Sequence, residues 1–162
     1  MKTLMVMPLL LAACDVSSAG EVEMRSIARD FRAYPMVDEL LRDEVRNNPE
    51  PPPPSPVRSR AAPGSPHGGR LSFLYAAGIQ GYFGSGQQAE GQVLVLETWS
   101  SPGEGAELFV MSKSSNLADD SNGGWIYGIV APGGRVSAVG RLASCMACHR
   151  QAPNDRVFGL PR

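Results

Sequence analysis

Apolar positions change their period along the chain, and the changes divide it into segments. From Glu21 to Tyr34, Val22, Met24, Ile27, Ala28 and Phe31 recur among charged residues at helical spacing, which predicts an amphipathic helix. Pro35 ends it, and Val37 to Val45 are expected to add a second short helix. From Asn47 to Gly69 the periodicity is lost. Pro49, Pro51 to Pro54, Pro56, Pro63 and Pro66 favour an extended backbone or a solvated linker. After Arg70 the pattern is that of strands. Leu71 to Tyr75 reads as one, a glycine-rich connection runs to Gly91, and Gln92 to Trp99 reads as a second, rich in β-branched and aromatic residues. Glu107 to Lys113 and Gly124 to Val130 follow, after the turn signals Ser101-Pro102-Gly103 and Asn122-Gly123. Pro132-Gly133-Gly134 turns the chain into Arg135 to Val139, and Arg141 to Arg150 forms a last short helix closed by Pro153. The expected fold is mainly β, of the α+β class: an antiparallel sheet with flanking helices and a C-terminal helix.

The first residues read differently. Lys2 supplies a positive start, and Leu4 to Ala13 form an apolar run too short to span a bilayer, as in a signal peptide. The run ends in Leu11-Ala12-Ala13-Cys14, which resembles a bacterial lipoprotein cleavage box with Cys14 as the lipidated residue. The organisation expected is a leader at 1–13, a tether and amphipathic helices at 14–46, a Pro/Gly-rich linker at 47–69 and a folded domain at 70–162. Such a chain is exported, faces the periplasm and is held to a membrane through Cys14. Loss of the leader leaves 149 residues, enough for one domain with a core. It also leaves 14 basic against 16 acidic side chains, a formal charge of −2 that argues against nucleic acid as a partner. Lys113 becomes the only lysine.

The densest chemistry lies in Cys145-Met146-Ala147-Cys148-His149. Cys-x-x-Cys-His is the spacing at which a c-type haem is attached: two thiols add to the porphyrin vinyl groups and the adjacent imidazole ligates the iron. On a helix, positions i, i+3 and i+4 share a face, so all three side chains can meet one flat ligand. Two other readings use the same pair. A redox disulfide expects a βαβ setting, which the pattern lacks. A zinc site needs about four ligands, and only Cys14 and His67 remain to complete one. Three cysteines, two for haem and one for lipid, leave no odd exported thiol.

Four segments carry a family resemblance: Gly91-Gln-Val-Leu-Val-Leu-Glu97, Leu108-Phe-Val-Met-Ser-Lys113, Gly124-Trp-Ile-Tyr127, and Cys145 through Phe158 with its Asp155 shortly before Val157-Phe158. Over residues 70 to 160 the chain resembles the cytochrome P-460 family, above all its gas-binding branch, the β-sheet cytochromes c′ (cytochrome c′-beta). The resemblance implies one covalent haem c in a homodimer, with His149 as proximal ligand and a five-coordinate iron open to NO or CO. In hydroxylamine-oxidising members a strand lysine is cross-linked to the porphyrin. The matching position here is Leu96, so no cross-link is expected there and no catalytic residue is assigned.

By strand alternation Leu94, Leu96 and Thr98 share one face, as do Phe109, Met111 and Lys113. By the resemblance, Phe109 takes the place of a proton-moving carboxylate and would crowd the distal side, with Leu96 beside it. Core packing is the plain alternative for both. Arg70 matches a pocket arginine that could hydrogen-bond a ligand, or is a solvated arginine. Met111 and His67 are the side chains able to supply a sixth ligand. A six-coordinate electron carrier is then the alternative function, and a hydroxylamine or NO oxidase the other; the redox partner is left open.

Overall fold

The computed structural model describes residues 16–37, 67, 71–84, 86–100, 105–114, 121–152 and 154–158. The leader at 1–13, Cys14, the second helix beyond Val37, the proline-rich stretch apart from His67, and Arg70 all lie outside the described residues.

Helix α1 (Val16–Asp30) runs into a 3-10 turn at Phe31–Ala33 and is followed by β1 (Leu71–Ala76). A short helix α2 (Ile79–Phe83) precedes β2 (Val93–Trp99), β3 (Glu107–Lys113), β4 (Trp125–Val130) and β5 (Val136–Gly140). Helix α3 (Ala143–His149) ends the regular structure. The strands form one five-stranded antiparallel sheet in chain order, a mainly-β fold with flanking helices as expected.

Antiparallel pairing sorts the side chains onto two faces. One face carries Tyr75, Val95, Leu108, Val110 and Val130, and packs with Met24, Ile27 and Phe31. Those three recur at i, i+3 and i+7, the stripe an amphipathic helix buries. Val22 is not part of that stripe; it is 68% exposed, correcting its place in the expected apolar face. The helix also begins at Val16, where a tether was expected up to Gly20. The close fit explains this: a Cβ on Gly20 would lie 3.1 Å from Val139, and one on Gly128 would lie 2.3 Å from Met24 Sδ. Glycine at 128 lets α1 approach the strand backbone.

Past the 3-10 turn, Arg32 pairs with the buried Glu97 of β2, whose other oxygen accepts from the Tyr75 hydroxyl at 3.2 Å. Phe31 meets the Tyr75 ring edge-on at 4.9 Å. The helical end is therefore bolted to the sheet by an ion pair as well as by apolar contact. Burial raises the Tyr75 pKa and the adjacent carboxylate adds to it, so the phenol stays a donor.

The opposite face carries Ala76, Leu94, Met111, Trp125 and Tyr127, buried with Tyr82, Val37 and Val157; Leu142, Cys145 and Met146 pack against them. It is the face on which α3 sits.

Candidate functional site

On that second face two rows of side chains run across the strands. The inner row, Ala76–Leu94–Met111–Tyr127, is buried. The next row is Leu74–Leu96–Phe109–Ile129, paired strand to strand without interruption. All four of its members are apolar and only half-buried. Leu96 and Phe109, the expected distal pair, are direct cross-strand partners in it. Met111 is in the inner row, 7% exposed between Leu94 and Tyr127.

The three residues of the motif lie on α3 within one turn and a step of each other. Cys145 is a half-buried free thiol packed against the inner cluster, and Cys148 is an exposed free thiol. Burial pushes the Cys145 thiol up from its ordinary pKa. A redox Cys-x-x-Cys needs the reverse, a stabilised thiolate. Among the described residues no three His, Cys, Asp or Glu side chains gather as for a bare metal ion; Cys14 lies outside them.

His149 is the most constrained of the three. Its Nδ1 lies 2.8 Å from the Arg156 carbonyl. A carbonyl only accepts, so Nδ1 carries the proton and Nε2 keeps the lone pair. Burial lowers the His149 pKa, partly countered by that carbonyl; the ring is the neutral form that a metal needs. Tyr127 and Phe158 flank it, with ring centroids at 5.5 and 5.4 Å.

The carbonyl that orients His149 is aimed by an unusual turn. Asp155 and Arg156 both have positive φ, 47° and 67°, a conformation that costs non-glycine residues roughly 1–3 kcal/mol each. Fastenings from four segments hold it. Trp125 Nε1 donates to the Asp155 carbonyl at 2.8 Å, and the Gln88 N–H donates to Asp155 Oδ2 at 2.9 Å. Lys113 Nζ pairs with the same carboxylate, and Arg156 Nη2 donates to the Ser121 carbonyl at 2.7 Å. The Lys113 side chain is only 3% exposed, with its ammonium 5.3 Å from the Trp125 ring.

His67 also belongs here. Its ring stands edge-on to Phe109 at 4.3 Å and 6.5 Å from the His149 ring, at 82° to it. The sequence offered this residue with Met111 as a possible sixth ligand, and the fold brings its ring beside the motif. Sequence reasoning did not single out Trp125, Tyr127 or the Arg156 carbonyl as site residues. The one cue was the tail Asn154-Asp155-Arg156 beside a chain poor in lysine, with Lys113 the one lysine after Lys2.

A covalently attached porphyrin suits this donor set. Two thiols and a neutral imidazole with Nε2 available project from one helix, on the sheet face that carries a partly exposed apolar row. No protein-family model, curated protein or solved structure matches the chain.

Proposed function

We propose that the chain is an exported, lipid-anchored monohaem c-type cytochrome of the c′-beta kind that takes NO or CO as a scavenger, carrier or sensor. The observation that carries the reading is His149: it ends a helix bearing Cys145 and Cys148, and its Nδ1 is committed to a backbone carbonyl. Haem held by Cys145, Cys148 and His149 would supply an iron able to bind a small uncharged gas.

The chain's residues do the rest. Cys145 and Cys148 would hold the porphyrin through thioether bonds. Arg156 and the fastened tail hold the His149 ring in one tautomer and orientation, which tunes the iron as ligand hydrogen bonds do. Leu74, Leu96, Phe109 and Ile129 present an apolar surface that disfavours water and charged ligands. Lys113 is engaged by Asp155, and Leu96 has no amine, so neither described position offers the cross-link of the hydroxylamine-oxidising branch. The homodimer and the anchor at Cys14 belong to the same proposal, as does the periplasmic location.

The test is the full chain expressed with haem-attachment machinery. A covalent haem band in a denaturing gel, together with a reduced spectrum that shifts with CO and NO, supports the reading. Cys148→Ser should greatly reduce stable haem. Full incorporation in that variant, or none in the wild type, would count against attachment at this motif.

A further inference from the structure

We infer that His67 is a displaceable second ligand, holding the iron position opposite His149 until a gas takes its place. The inference rests on the haem reading above and adds a control to the same site.

The chain has two histidines, far apart in sequence, and the fold sets them 6.5 Å apart with planes at 82°. Imidazoles bind iron through a ring nitrogen at roughly 2 Å, so two of them on opposite sides of one metal have centroids roughly 6 Å apart. Ring packing alone also occurs at such distances. Two further features favour ligation. The direct aromatic neighbour of His67 is Phe109, at 4.3 Å and 87°, so the ring is braced from the half-buried row instead of resting on His149. The partner His149 has Nδ1 committed to Arg156, which leaves Nε2 as its available nitrogen.

Phe109 thereby gains a second duty. It supports the ring that caps the iron, in addition to being a cap itself. A gas that binds the same iron competes with the His67 ring for it, so the two exclude each other. The exchange breaks one iron–nitrogen bond and forms one iron–gas bond; no electron or proton is transferred.

The experiment compares wild type, His67→Ala and His67→Gln, each as the full haem-loaded chain, by ferric electron paramagnetic resonance and by CO titration of the reduced protein. Expected is a low-spin wild type that becomes high-spin in both variants and returns to low-spin on adding free imidazole. Where His67 closes about nine-tenths of the iron, its removal raises apparent CO affinity about tenfold. A high-spin wild type overturns the inference without any variant and leaves the gas-binding reading standing. Variants that stay low-spin overturn it too, and assign the sixth position to another residue such as Met111. No covalent haem in the wild type overturns this inference and the haem reading together.

Discussion

Asp155→Asn removes one negative charge from beside a buried ammonium and disturbs little else. Asparagine tolerates left-handed backbone better than most residues, so the φ of 47° at this position adds little new strain. Its carbonyl can still accept from Gln88 N–H or Lys113. The charge of Lys113 is then left without its carboxylate, on a side chain 3% exposed, while the Asp155 side chain is 13% exposed. Breaking a buried pair from one side costs about 3–5 kcal/mol, and the retained acceptor places this variant near the lower end. At about 3 kcal/mol the unfolding midpoint falls by roughly 10 °C for a domain of this size. Lys113→Met together with Asp155→Asn leaves no orphan charge and returns the protein to within about 1 kcal/mol of wild type. The coupling between the two positions is therefore about 2 kcal/mol or more. Thermal and urea unfolding of the wild type, both single variants and the double variant measure it. A double variant as unstable as the sum of the two singles would refute the pair as the fastening of the tail.

Three further outcomes are expected. Gly128→Ala puts a Cβ 2.3 Å from Met24 Sδ and should cost about 1–3 kcal/mol by overpacking; an unchanged urea midpoint would mean that α1 does not seat on β4 as described. Phe109→Ala should speed CO association with the reduced protein by about tenfold, about 1.4 kcal/mol of barrier; unaltered stopped-flow kinetics return Phe109 to plain packing. The Tyr127 pKa is pushed up to about 12, chiefly by burial, above an unfolded value of about 10. The stability this contributes is complete below pH 10 and is lost as the pH rises toward 12, roughly 2–3 kcal/mol in all. Tyr127→Phe should flatten that alkaline loss in unfolding experiments run from pH 9 to 12, and an equally steep loss would place the titration elsewhere.

The strands were legible because they are covered on both faces. Val93-Leu-Val-Leu96 alternates between the α1 side and the α3 side, and a strand apolar on both sides stands out as a continuous run. Helix α2 was not legible. It is five residues long with Gly81 inside it, and a contact from afar supports it: the Tyr82 hydroxyl donates to the Phe158 carbonyl at 3.2 Å. The early start of α1 escaped for a similar reason. Ser17, Ser18 and Gly20 are weak helix formers, yet at Gly20 the lack of a side chain suits the close approach of Val139. In both cases tertiary packing overrides a local preference that a sequence pattern can weigh.

The candidate site divides along the same line. Cys145, Cys148 and His149 were legible because their spacing alone sets them on one helical turn. The residues that surround and orient the His149 ring come from β4, the tail and His67. Their roles become visible only when the sheet assembles. Both faces of that sheet use one device: a charge on a central strand, Glu97 on β2 or Lys113 on β3, pairs with an opposite charge on a flanking segment. Arg32 thereby docks the end of α1, and Asp155 docks the tail. Burying a charge is costly unless it is paired, so each pair penalises a misplaced segment more sharply than apolar packing would. For the tail this selectivity has a use, since displacement of Asp155 would carry with it the neighbouring Arg156 carbonyl. Lys113 thus acts on His149 at one remove: it fixes the turn whose carbonyl holds the imidazole.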